Sequence, residues 1–247
     1  MTEGLLLGGI VLVSALLQAV SGFGFGIVLM AVAPLFLPYE TALGLSTILG
    51  IVLNASILLR CWRHIDWKQL WLPLIFGLLG ATAGVFLLSS SPPQVYKRAL
   101  GVFLLLLSIW FFFFSERVRI KANLRNAGIA GAISGICGGL FTINGPPMVL
   151  YFISVIKDKR VYQATLQAYF FLNAVWLLAL RLLMHQIPAG VGTLTLWGLA
   201  GLIIGSLVGG KIFDRVDVAI SGGSTATADS FLDVFPDAQN AVINPKN

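Results

Sequence analysis

The chain has 247 residues, 57% of them apolar and only 11% charged, with a formal net charge of +6. Soluble domains are about one quarter charged, and this chain has too little polar surface to cover a water-soluble globule. Composition therefore excludes a nucleic-acid binder, a secreted disulfide scaffold and a disordered chain, and describes an all-α polytopic membrane protein lying mostly in the bilayer. The basic residues sit in short clusters between apolar runs, as loops facing the cytoplasm do. Cys61 and Cys137 are too far apart in sequence for a CxxC pair and are given no redox role. Glu3 precedes an apolar run of helix length with no basic segment before it, so the N-terminus is expected to be retained rather than cleaved.

A spanning helix needs about 20 mostly apolar residues. Thr41–Leu59, Leu70–Leu88, Ala99–Phe114, Ala164–Met184 and Leu194–Ile212 fit that length. Two segments are too long for one crossing. Gly4–Leu37 has 34 residues, about 50 Å as one helix, and Gly128–Ile156 has 29, about 43 Å, against a hydrocarbon core of about 30 Å. Each is punctuated by glycine: Ser21-Gly22-Phe23-Gly24-Phe25-Gly26 in the first, Ser134-Gly135-Ile136-Cys137-Gly138-Gly139 and then Asn144-Gly145-Pro146-Pro147 in the second. Glycine and proline break helices, and broken backbone persists in a membrane only inside protein or along a wet cavity. Each long segment is therefore a broken span or a re-entrant hairpin.

Charge distribution selects the hairpin. If Gly128–Ile156 enters and leaves on one side, the loops Arg60–Lys68, Arg117–Arg125, Lys157–Arg160 and Lys211–Arg215 share a face with 12 basic residues, leaving Lys97, Arg98 and Arg181 on the other. A single crossing would divide them eight against seven, with no positive-inside bias.

The two broken segments also resemble each other. Ala19-Val20-Ser21-Gly22 matches Ala132-Ile133-Ser134-Gly135 at an offset of 113, and Leu53-Asn54-Ala55 matches Leu172-Asn173-Ala174 at 119, which places a six-residue insertion near the Lys157–Arg160 loop. The topology turns the equivalent helices Thr41–Leu59 and Ala164–Met184 in opposite directions, so the expected architecture is an inverted repeat, each unit a Gly-broken hairpin followed by spans. Residues 1–126 form the first unit and 127–216 the second, which lacks a last helix; 217–247 form a polar, acidic tail expected to be disordered.

None of the ten acids lies mid-span, and His64 and His185 lie near span ends, so proton relays, metal sites and a serine–histidine pair have no support. The centre is neutral and rich in donors. Half-helix N-termini expose N–H groups with partial positive charge, glycine admits a ligand close to backbone, and Ser, Thr and Asn add donors without buried charge. That chemistry suits a small oxyanion. The candidate residues are Ser21, Gly22, Gly24 and Gly26 in one hairpin, Ser134, Gly135, Gly138, Gly139 and Asn144 in the other, and Thr47, Asn54, Gln167 and Asn173 on neighbouring spans. Each has a plainer role: glycines for close helix packing, the serines bonding a carbonyl one turn back, the asparagines as interhelical glue. Pro146 and Pro147 read as helix breakers. Arg181 reads as a snorkelling residue, with a vestibule charge as the alternative, and the Trp110–Phe114 run as a lipid-facing anchor.

At Gln18–Pro34, with its SGFGFG core, and at Gly131–Tyr151, SGICGGLFTINGPPMVLYF, the chain resembles the sulfite exporter TauE/SafE family of membrane permeases, from about residue 4 to 215. The resemblance implies a secondary transporter in the bacterial inner membrane exporting sulfite, sulfoacetate or related sulfur-containing anions. It departs from the family in lacking a hydrophobic helix after Lys211–Arg215. The expected protein is not an enzyme, has no cofactor or metal, and has a small anion and the lipid bilayer as partners. Self-association is left open. Export by alternating access, drivable by the membrane potential, stands beside two alternatives, an anion channel and a non-transporting membrane scaffold.

Overall fold

The computed structural model describes residues 2–90, 92–114 and 123–221. These form nine α-helices and two short 3-10 turns: α1 (Thr2–Ser21), α2 (Phe25–Val32, continued by Ala33–Leu35), α3 (Tyr39–Cys61, continued by Trp62–His64), α4 (Trp67–Ser89), α5 (Pro93–Phe114), α6 (Leu124–Phe141), α7 (Gly145–Val155), α8 (Lys159–Leu183) and α9 (Val191–Ser221). No strand occurs among the described residues. Five of the helices, α1, α3, α4, α8 and α9, are long and apolar enough to cross a membrane. Their outward faces carry bare apolar side chains such as Leu79 and Leu196, the surface that a bilayer and not water would cover. The protein is an integral membrane protein. The Trp110–Phe114 side chains and the tail beyond residue 221 lie outside what is described, and α9 continues past the predicted end at Ile212.

Helix starts follow local chemistry. Asp66 accepts from the Lys68 and Gln69 amides at the head of α4, Asp158 from those of Arg160 and Val161 at α8, and Asn123 from that of Asn126 at α6. Each satisfies N–H groups that have no partner inside the helix. Trp62, Trp67 and Trp71 are exposed around the Arg60–Lys68 loop, and the Arg63 guanidinium lies 5.5 Å from the Trp62 ring. This is the aromatic and basic belt of a membrane–water interface.

Two helix pairs form the frame. On α6, Gly131, Gly135 and Gly139 lie against the Pro73, Gly77 and Ala81 carbonyls of α4, and on α9 Gly201 and Gly205 lie against the Gly8 and Leu12 carbonyls of α1. A Cβ at any of these five glycines would strike backbone, so the spacing of four residues is what brings the helices together. Contacts advance in step along both members of each pair, so the partners run parallel. The central helices do not: Arg181 near the end of α8 bonds Leu43 and Thr47 near the start of α3, while the Asp66 amide, beyond the end of α3, donates to Thr165 near the start of α8. Thus α3 and α8 are antiparallel. The contact pattern (α4 on α6, α9 on α1, α3 on α8) maps onto itself when the two halves are exchanged.

Two sequence expectations need correction. The second long segment is not broken at Ser134–Gly139: α6 runs through these residues, because their glycines serve packing on α4, and the break falls at Thr142–Asn144. The register of the repeat also shifts. The broken ends are 120 residues apart (α2 begins at Phe25, α7 at Gly145), and the links before α3 and α8 are of equal length. There is no insertion in the Lys157–Arg160 loop. The match of Ser21 to Ser134 pairs the last residue of α1 with one in the middle of α6.

Candidate functional site

The first hairpin turns on Gly22 and Gly24, whose φ angles are 84° and 113°, a conformation that costs little only without a Cβ. The second ends α6 with Thr142 in the left-handed conformation at φ 57°, and α7 restarts with Pro146 and Pro147 in its first turn. There the missing N–H is no loss and the fixed φ suits a helix start, so these prolines begin a helix rather than interrupt one. The tips touch: a Cβ on Gly26 would meet the Thr142 carbonyl, and one on Gly145 would meet Phe23 at 3.3 Å.

Between the tips and the central helices lies a cavity of about 50 Å³ lined by Gln18, Gly24, Gly26, Ser46, Thr47, Asn54, Thr142, Asn144 and the apolar walls Phe170 and Leu177, among others. Its donors come chiefly from α2. The Phe25 amide donates to Gln18 Oε1 (3.1 Å), whereas Gly26 and Ile27, also lining the cavity, are first-turn residues with no carbonyl four residues back to bond within the helix. The positive end of α2 thus faces a cavity lined by side chains without charge. α7 offers less, since proline has no N–H to donate.

Of the predicted residues, Gly24, Gly26, Thr47, Asn54 and Asn144 line this cavity. The others do not. Ser21 donates to Leu17 and Phe23 carbonyls (both 2.7 Å). Ser134 bonds the Asn144 carbonyl (2.5 Å) and receives the Tyr169 hydroxyl (3.1 Å), which ties the two arms of its hairpin. Gly22 presents its carbonyl to Gln167 Nε2 (2.8 Å). Gly135 and Gly139 face α4. Gly138 backs onto Asn144 and Asn173, and Asn173 is fully buried with both amide atoms unpartnered among the described residues.

Gln18, Ser46 and Thr142 were not among the candidates. Gln18 donates to Asn54 Oδ1 (2.6 Å) while its Oε1 caps α2. One polar residue closing an apolar run just before SGFGFG was the signal available. Arg181 also departs from expectation. It does not snorkel but is fully buried, donating to the Leu43 carbonyl (3.1 Å), Thr47 Oγ1 (2.5 Å) and the Gly139 carbonyl (2.9 Å). Near it Tyr39 takes the Leu140 carbonyl (2.7 Å) and the Thr142 amide takes that of Gly138 (2.9 Å). Arg181 therefore closes the negative end of α6, a position that favours a cation.

Two further cavities flank the centre. One, about 310 Å³, is lined by Tyr39, Glu40, Arg181, His185 and Gln186 among others. The other, about 220 Å³, is lined by Ala19, Ser56, Arg60, Cys61, His64, Arg160 and Gln163 among others. Exchanging the halves carries one onto the other, since each lies where an end of α3 meets the opposite end of α8.

An antiparallel pair of long helices flanked by two opposed hairpins, with a small polar cavity where the tips meet, defines a polytopic membrane protein of the permease type. The sequence model of the family described as "Sulfite exporter TauE/SafE" matches residues 6–222, and the chain belongs to that family. It is similar to a Cupriavidus necator protein titled "Probable sulfite/organosulfonate exporter TauE", 26% identical over 140 residues, 55% of each chain. It is also similar to a Haemophilus influenzae "Probable membrane transporter protein", 27% identical over 103 residues, 41% of this chain and 40% of that one. The matches span about half the length of these relatives or less. No solved structure matches the chain significantly.

Proposed function

We propose that this protein is a secondary carrier of the bacterial cell membrane that exports small sulfur-containing oxyanions, such as sulfite or a short organosulfonate, by alternating access. The observation that carries the reading is the placement of the open positive end of α2, with Gly24 and Gly26 allowing close approach, on a cavity that also presents Thr47, Asn54 and Asn144. An oxyanion placed there meets backbone N–H groups and hydroxyl or amide donors without a competing carboxylate. Family membership and the titles of the two relatives support the substrate class.

The bodies that move need not be the sequence halves 1–126 and 127–216. The glycine contacts fasten α1 to α9 and α4 to α6, so each hairpin would travel with the last described span of the opposite half, sliding along the α3–α8 pair. Liposomes containing the purified protein and loaded with sulfite should release it faster than empty liposomes when an inside-negative potential is imposed, with saturable kinetics. Release equal to that of empty liposomes overturns the reading.

A further inference from the structure

We propose that the cavity at the Arg60 end of α3 is a loading site for the transported anion, with the Arg60 guanidinium as its principal ligand. This rests on the anion-carrier reading above and adds a second, outlying site to the central one.

The argument is a contrast between two arginines that occupy corresponding places. Each lies near the C-terminal end of a central helix and lines one of the two flanking cavities. Arg181 is fully buried and committed to three protein oxygens, one of them the Gly139 carbonyl at the end of α6. The residue 120 positions before Gly139 is Ala19, near the end of α1, and Ala19 lines the Arg60 cavity. There the corresponding closure is absent: Arg60 is exposed, with no hydrogen-bond partner among the described residues, and an open space of about 220 Å³ lies beside it. Gly210 is what admits the guanidinium, since a Cβ at that position would collide with Arg60 Nη1.

The charge content differs as well. The Arg181 cavity includes Glu40, whereas the Arg60 cavity is lined by Arg60, Arg160 and His64 with the neutral donors Ser56 and Gln163 and no carboxylate. A cavity with cationic walls and no acid concentrates anions, and a guanidinium fork matches two oxygens of a sulfite, sulfonate or sulfate group. The route inward is short. Ala19 and Ser56 line this cavity, Gln18 and Asn54 line the central one, and the 2.6 Å Gln18–Asn54 hydrogen bond stands between them. The cavity opens beside the Arg60–Lys68 and Lys157–Arg160 loops, the face that the charge distribution assigns to the cytoplasm, which is where an exporter takes on its cargo.

The test measures sulfite binding to the purified protein by calorimetry. Arg60→Gln is expected to weaken sulfite affinity roughly tenfold or more, and Arg60→Lys and Gly210→Ala by smaller factors, since one loses the fork and the other displaces it. Arg181→Gln is expected to lower the melting temperature while leaving more of the affinity than Arg60→Gln does. Should Arg60→Gln fail to fold, native Cys61, which lines the cavity, serves as reporter in a Cys137→Ala background. Methanesulfonate should slow modification of Cys61 by an anionic thiol reagent more than by a neutral one. A folded Arg60→Gln protein binding sulfite with unchanged affinity, or Cys61 modified at equal rates with and without methanesulfonate, overturns the loading site alone. Absence of sulfite binding and release in the parent protein overturns the carrier reading instead.

Discussion

In the first hairpin the chain turns on two left-handed glycines, and Gln18 reaches across to cap the returning helix; in the second it turns on Thr142, two prolines restart the helix, and Ser134 bonds across the turn. Both return the chain within the apolar layer and both tips reach the same cavity. They differ in what they offer it. The glycine hairpin leaves amides at the cavity, while the proline hairpin has removed two of its own donors and has the carbonyls at the end of α6 occupied by Thr142, Arg181 and Tyr39. A related fold in the two halves therefore does not imply equivalent chemistry. One hairpin is built to bind, and the other to hold position.

The largest way to break that comparison is Gly26→Val. Its branched side chain would enter the Thr142 carbonyl where the tips meet, with a destabilisation of about 3 kcal/mol expected for such overpacking and sulfite release lost. Wild-type melting and release would show that the tips are not in contact. Gln18→Ala comes next. It uncaps α2 and unpairs Asn54, about 2 kcal/mol in all, and removes the bond between the central and Arg60 cavities, so thermal unfolding in detergent should shift downward and binding should weaken with it.

Smaller effects separate the two turns. Gly24→Ala forces a Cβ onto a residue at φ 113°, about 1–2 kcal/mol, read as a lower melting temperature. Thr142→Gly should change stability by less than about 0.5 kcal/mol, because relief of the left-handed strain is offset by loss of the 2.9 Å bond from Thr142 to Ser46. Equal losses at the two positions would mean that both turns are glycine-type, and the contrast between the hairpins would fail.

Much of this was legible in the chain. The excess of apolar residues over charged ones sets the class, segment length against bilayer thickness marks the two hairpins, and SGFGFG locates the first break because only glycine tolerates the backbone found there. The second break was misplaced because glycine has two uses. Gly135 and Gly139 look like helix breakers in sequence, yet they sit in an intact helix and let α4 approach. Propensity alone does not separate the two, since an intact helix tolerates glycine when a neighbouring backbone fills the space.

The sequence by itself determined that the chain is a bundle of membrane helices with two interrupted segments, since hydrophobic length and turn chemistry are local properties. Tertiary structure alone decided which polar groups meet. Arg181 and Arg60 are indistinguishable as cations near helix ends, but whether a guanidinium is committed to carbonyls or faces an open cavity depends on backbone brought from elements more than a hundred residues away.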